Sequence, residues 1–313
     1  MRALAALAGV AAVALAAAHA PLWVYAVSLA LFGLPHVLVE LRYVDERFSG
    51  RVPRGTLRWL GAGLLCVAGL RVLAFAGVEG PLVRAELAFG VGLVAVAAPL
   101  LTARVDPLRA LGAFGAASLL LGGAVYAPVE TLVCFALLHN LTPVGFLAER
   151  LRGRARRQAL AAAATVFFLV PVVLVASPFL PQVLDGPLAI GDLSRHEGAF
   201  VPSPWTQTAL GARLFAAAAY LQVMHYAVVL GVLPKLGGGD EASRAVAPWP
   251  SKRTFAVGVA ILGAVATGAF VTDFVGARAG YAVFAAVHAW VEIPTLLIAC
   301  TVGPIAGLKA QPT

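Results

Sequence analysis

Four histidines and two glutamates inside apolar segments are the residues of this chain best suited to chemistry. They lie far apart in the sequence and are His36, Glu40, His139, His225, His288 and Glu292. A spacing of four places two side chains on one helix face, so His36 is expected beside Glu40 and His288 beside Glu292. Burying ionisable groups in a bilayer is costly, and such residues therefore indicate a functional site.

Imidazole and carboxylate ligands together suit zinc, iron or manganese, and several histidines with a carboxylate favour non-haem iron or zinc. We therefore predict that all six residues bind or orient a metal, with Fe(II) expected and zinc as the alternative. Each glutamate either binds the ion or accepts a hydrogen bond from the second ring nitrogen of a ligand. Tyr226 and Asn140 adjoin two of the histidines and are the predicted catalytic residues, placed to hydrogen-bond a reacting oxygen species.

Three other interpretations of the histidines stay open. They are a haem held by two histidines, a pathway for protons or ions, and structural hydrogen bonding. A lone histidine on an apolar helix face is more often structural than a ligand, whereas four at compatible depth favour a shared site. His19 at a predicted hairpin turn and His196 in a long outer loop are expected near the membrane interfaces.

The composition decides what kind of elements must position these residues. The 313 residues are 61% hydrophobic and 12% charged, with a mean hydropathy of +0.90. A soluble domain carries about 25% charged residues. We therefore predict an all-α, polytopic transmembrane helix bundle that forms one domain over residues 1–313. The net charge of +8 is mostly loop arginine, which indicates membrane topology and argues against nucleic-acid binding. The lipid bilayer is the expected surrounding, and the sequence identifies no protein partner.

A spanning helix needs about 20 mainly apolar residues. Apolar runs between charge clusters and Pro/Gly breaks predict ten spans, at about 2–19, 21–41, 57–79, 81–103, 107–127, 128–148, 158–180, 207–233, 254–275 and 279–303. An outer loop is expected at about 181–206 and a cytoplasmic linker at about 234–253. Met1-Arg2, the alanine-rich run after it and Ala18-His19-Ala20 also resemble a signal peptide, whose removal would leave nine spans.

Arginine clusters predict the orientation of the ten spans. They follow the second, fourth, sixth and eighth runs, and all of them fall on one side of the membrane if there are ten spans. The positive-inside rule then places both termini in the cytoplasm. The expected location is the bacterial cytoplasmic membrane.

The stretch Phe32-Gly33-Leu34-Pro35-His36, with an acid at Glu40, is similar to the Gly-x-Pro-His-Gly-x-x-Asp stretch of the Brp/Blh family. Members of that family are bacterial and archaeal membrane β-carotene 15,15′-dioxygenases. The resemblance implies histidine-ligated iron that cleaves a carotenoid to retinal, with His139 and His225 completing the site. Two departures are Val37 in place of glycine and Glu40 in place of aspartate. The family's later His-x-x-x-His pair is also missing, because Val229 follows His225 by four residues.

The leading functional hypothesis is a membrane-embedded, metal-dependent oxidoreductase or oxygenase. Its substrate would be lipid-soluble, such as a carotenoid, another isoprenoid or a fatty chain. A water-poor site admits apolar molecules from the bilayer, and neutral histidine ligands leave coordination positions open for O₂. The alternatives are a transporter of protons or metal ions and a haem-binding membrane protein. A transporter predicts a water-filled route through both halves of the membrane, whereas the polar groups cluster in the predicted inner half.

Overall fold

The computed structural model describes residues 2–52, 54–102, 107–177, 191–236 and 245–301. Every regular element within these ranges is helical. The helices are α1 Arg2–His19, α2 Pro21–Phe48, α3 Arg54–Phe75, α4 Leu82–Thr102, α5 Pro107–Tyr126, α6 Pro128–His139, α7 Thr142–Arg150, α8 Gly153–Ala164, α9 Val170–Ala176, α10 Ser194–Glu197, α11 Ala209–Gly231, α12 Leu233–Leu236, α13 Lys252–Thr272 and α14 Phe274–Thr301. A π-helical turn, Thr165–Leu169, joins α8 to α9. Residues 178–190 of the predicted outer side and 237–244 of the predicted linker lie outside the described residues.

Six helical stretches of the described chain are long and apolar enough to cross a membrane. They are Pro21–Phe48, Arg54–Phe75, Gly153–Ala176, Ala209–Leu236, Lys252–Thr272 and Phe274–Leu296. The pair α6 and α7, bent by 42°, would make a seventh. The all-α prediction is thus confirmed, and the long apolar helices are compatible with an integral membrane protein. The helices α1, α4 and α5 occupy three further predicted runs without being among these six.

Prolines begin several of the helices that carry site residues. Pro21 and Pro128 stand in the first turns of α2 and α6, where the missing N–H leaves no hydrogen bond unmade. Pro143 stands at the start of α7, so the predicted span 128–148 divides after His139. Pro35 lies inside α2 and Pro294 inside α14. The described backbone is bent by 42° between α6 and α7, directly after His139, whereas α2 and α14 continue through their prolines as single helices.

The four helices that carry the site histidines meet in the middle of the bundle. α2 packs against α11, α13 and α14, and α14 also contacts α6. The spans of α2 and α11 are the most buried, whereas α3 and α13 expose most of their apolar side chains. α2 and α11 therefore form the inner part of the bundle, and α3 and α13 lie at its outside.

Trp290 fixes the position of α14 against its neighbours. The indole is fully buried and stacks on Phe135, with ring centroids 4.2 Å apart. Its Nε1 donates to Glu86 at 3.2 Å, and Glu86 forms an ion pair with Arg71 at 2.7 Å. A Cβ added at Gly90 would overlap the indole ring, so only glycine lets α4 approach this closely. This packing sets the height of His288 and Glu292 on the same helix.

Candidate metal centre

The four predicted histidines converge on one place. Each offers a ring nitrogen, and these four nitrogens lie within 4.8 Å of one another. Neighbouring ring centroids are separated by 4.5 Å for His139 and His288 and by 5.2 Å for His36 and His225. Because the four residues come from α2, α6, α11 and α14, the folded bundle alone brings them together. Their predicted convergence is confirmed.

Backbone carbonyls determine which nitrogen two of the histidines present. The Nδ1 of His36 donates to Phe32 O at 3.1 Å, and the Nδ1 of His288 donates to Ala285 O at 2.8 Å. Each Nε2 is then a bare acceptor, and both are buried without a hydrogen-bond partner among the described residues. The Nδ1 of His225 likewise lacks a hydrogen bond there. Buried polar atoms are normally satisfied, so this cluster fits an ion that would take up the bare nitrogens.

The two glutamates pair across helices. Glu40 Oε2 lies 3.2 Å from His225 Nε2 and 3.8 Å from His288 Nε2. His139 Nδ1 donates to Glu292 Oε2 at 2.7 Å. The nearest partners of both glutamates therefore come from other helices, while ligand atoms of His288 and Glu292 also lie within 4.8 Å of each other as expected. Four residues of helix rise by about 6 Å, which leaves room for a histidine of a facing helix to enter beside each carboxylate.

The site has a nitrogen side and a carboxylate side. Besides the four-histidine group, a second group of possible ligand atoms within 4.8 Å comprises Glu40, His225, His288 and Glu292. The two groups share His225 and His288. The carboxyl groups of Glu40 and Glu292 also lie close enough to interact. Two buried carboxylates in contact need a shared proton or a cation, and the donor set suits a divalent metal.

Nearly all of the site is removed from solvent. His36 and His225 are fully buried, and Glu40 and Glu292 are each 1% exposed. The His139 side chain is 13% exposed. Such burial of uncompensated polar groups is expensive in a protein interior, and it is expected where the groups have a function.

The two predicted catalytic residues take different positions. The Tyr226 ring centroid lies 4.1 Å from that of His36, and its hydroxyl shares a hydrogen bond with the Tyr281 hydroxyl. Asn140 is buried, and its Nδ2 donates to Ala136 O at 2.9 Å, which commits that group to the helix backbone. Tyr281 was missed by the sequence interpretation. It precedes His288 by seven residues, a spacing that places both on one helix face and could have indicated it.

A cavity of about 570 Å³ opens onto the nitrogen side of the site. His36, His139 and His288 line its inner end. Its walls are mostly apolar and come from α2, α3, α4, α6 and α14. Phe75, Val129 and Val275 line the cavity and are also 57%, 50% and 53% exposed at the bundle surface. All three stand at the ends of α3, α6 and α14, so the cavity reaches the bundle surface at its end away from the histidines.

A segment of the predicted outer loop lines the far end of the cavity. Gly198, Ala199 and Phe200 line the cavity, and Val201 packs into the apolar core of α2, α11, α13 and α14. His196, expected near an interface, is instead 2% exposed because this segment folds back onto the bundle. Residues 191–208 are called the cap from here on.

Comparisons with known proteins leave the site to be interpreted from its own geometry. No protein-family model, no curated protein and no solved structure matches this chain.

Proposed function

We propose that this protein is a multi-pass integral membrane oxidoreductase that uses one non-haem iron to oxygenate a lipid-soluble substrate. The observation that carries the proposal is the set of four buried imidazoles at the end of a largely apolar cavity. Neutral imidazoles suit Fe(II), and an apolar cavity suits an apolar substrate. A carotenoid, another isoprenoid or a fatty chain are the candidate substrates, and the short Brp/Blh resemblance supports the first of them.

Fe(II) bound to the histidines would supply the activation of O₂. The chain's own residues would hold and orient that ion. His36, His139 and His288 face the cavity, while His225, Glu40 and Glu292 stand behind them. Glu292 accepts the Nδ1 proton of His139 and so turns the other ring nitrogen toward the site. The Tyr226 ring lies beside His36, and its hydroxyl, which bonds to the Tyr281 hydroxyl, is the proposed hydrogen-bond donor to a reacting oxygen. The apolar walls would keep water away.

The two rival functions fit the geometry less well. A haem held by two histidines needs a macrocycle between the axial rings, whereas rings here approach to centroid distances of 4.5 Å. A transporter needs a route on both sides of the site. On the side away from the cavity, Tyr43, Phe48 and Phe146 pack into an apolar cluster with residues of α11 and α12. A metal enzyme whose cavity ends at the histidines is therefore favoured over a transporter that passes an ion across the membrane.

The proposal includes the orientation of the bundle. Ten spans with both termini in the cytoplasm keep the arginine clusters on the inner side. The cap then lies at the outer face, and the cavity lies between the cap and the metal ligands. The bacterial cytoplasmic membrane is the proposed location.

Metal analysis of the purified protein tests the proposal. We expect about one iron per chain, no Soret band, and oxygen consumption that depends on added β-carotene or fatty acid. His36→Ala and His288→Ala should lose the metal, whereas His19→Ala, on an exposed side chain of α1, should retain it. One zinc per chain instead of iron would support the metal site and contradict the oxygenase function. Purified protein without metal, or histidine variants with full metal content, would contradict both the metal site and the oxygenase function.

A further inference from the structure

A second polar cluster lies at the outer end of the cavity. Arg278 Nη1 donates to His196 Nδ1 at 2.7 Å and to the Tyr25 hydroxyl at 3.5 Å. Arg278 and Tyr25 line the cavity, and His196 comes from the cap. The cluster therefore joins α2, α14 and the cap around one guanidinium.

The guanidinium of Arg278 has no anionic partner within the described ranges. The ion pairs of those ranges all involve other residues, and Arg71, which also lines the cavity, is neutralised by Glu86. The contacts of Arg278 are made through Nη1 alone, which leaves the Nε and Nη2 side of the fork available. That side matches two oxygens of a carboxylate or phosphate. A partly buried arginine without a counter-charge is suited to bind an anion that enters the cavity.

Two helices give the same separation between this cluster and the histidines. Arg278 precedes His288 by ten residues on α14, a rise of about 15 Å. Tyr25 precedes His36 by eleven residues on α2, a rise of about 16 Å. The wall between the two ends includes apolar side chains such as Leu29, Ala282 and Ala285.

We propose that Arg278, with His196 and Tyr25, binds the oxyanion end of an amphiphilic chain and places a bond about 15 Å away at the histidines. The role of the histidines in this statement rests on the proposed function. The substrate class is thereby narrowed to an acidic lipid, a long apolar chain that ends in a carboxylate or a phosphate. A hydrocarbon without an oxyanion, such as β-carotene, would leave the guanidinium without its ligand.

Equilibrium binding of three probes to chelator-treated protein in detergent tests the headgroup site. The probes are oleate, oleyl phosphate and methyl oleate, which share one chain and differ in the charge at its end. We expect at least one of the two anions to bind about tenfold more tightly than methyl oleate, because a charge-assisted hydrogen bond contributes roughly that much. The tighter of the two anions identifies the headgroup as carboxylate or phosphate.

Arg278→Gln should remove the preference for the anion, and Arg278→Lys should retain part of it, since lysine keeps the charge without the fork. Arg84→Gln, on an exposed side chain of α4, is the matched control and should leave all three affinities unchanged. Equal binding of the anions and methyl oleate overturns the headgroup site, and so does a preference that survives in Arg278→Gln. Because the protein is free of metal in this assay, the result is independent of whether the histidines bind iron.

Discussion

The Nε2 atoms of His36 and His288 point to the candidate site. Their Nδ1 atoms are held by carbonyls of their own helices, so each imidazole presents its other nitrogen in a fixed tautomer. Ligands held in this way need little reorganisation on binding. Residue types and spacing were enough to predict which side chains form the cluster. The partners of the glutamates could not be predicted, because they depend on the rotation of facing helices.

Glu292→Gln tests the carboxylate behind His139. The amide keeps the volume and removes the charge that orients the His139 Nδ1–H, so we expect metal retention to weaken by about 10–100-fold. Competition with a chelator of known affinity measures the change. Glu79→Gln, at an exposed position, is the control and should match the unmodified protein. Full metal retention in Glu292→Gln would contradict a role for Glu292 in the metal site.

Tyr226→Phe tests the hydroxyl beside His36. The ring remains and the hydroxyl is lost, so metal content should stay the same while the oxygenation rate falls by about a hundredfold, as for the loss of one transition-state hydrogen-bond donor. The rate is followed as substrate-dependent oxygen consumption. Tyr220→Phe is the control, because Tyr220 is buried in a separate apolar cluster. An unchanged rate in Tyr226→Phe would leave this hydroxyl without a catalytic role.

At the scale of the elements, close contact between α4 and α14 decides where two residues of the candidate site, His288 and Glu292, stand. Gly90 faces the buried Trp290, and Trp290 lies between His288 and Glu292 in the sequence of α14. The apolar runs and the prolines at helix starts predicted where these helices lie along the chain. Which glycine would meet the indole is a matter of tertiary packing, and no local pattern encodes it.

Gly90→Ala tests that contact. The added methyl group has no space, so α4 or Trp290 must shift, and we expect stability to fall by about 1–3 kcal/mol, together with weaker metal retention. Gly92→Ala, on the same helix with open space around it, should be neutral or slightly stabilising. Thermal unfolding in detergent and metal content measure both variants. Equal behaviour of the two would mean that the contact does not position α14.

At the scale of the whole molecule, charge and hydropathy were sufficient for the fold class but not for the number of spans. The described helices coincide with all ten predicted apolar runs, yet six meet the length and composition expected of a span, or seven with the bent pair. The angle between α6 and α7 is one reason. Pro143 stands at the start of α7, and the size of the bend depends on how both helices pack against α14.

Cysteine labelling tests the proposed orientation. In a variant without native cysteines, Ser203→Cys in the cap should react with a membrane-impermeant maleimide in intact cells. Arg154→Cys, at the start of α8, should react only after the membrane is opened, because a single span separates the two positions. Both side chains are exposed, so accessibility does not bias the comparison. The reverse pattern would mean that the bundle has the opposite orientation. Labelling of both positions from one side would contradict a span at Gly153–Ala176.

Under the proposed function, the opening of the cavity at Phe75, Val129 and Val275 has a kinetic consequence. For a lipid-soluble substrate that enters there from the bilayer, the effective concentration is its mole fraction among the lipids and not its amount per volume of water. Diluting that substrate with inert phospholipid at constant total amount should slow turnover. Adding water should not. Competition for the enzyme would then follow how molecules partition and diffuse within one leaflet, and the composition of the membrane would set the rate.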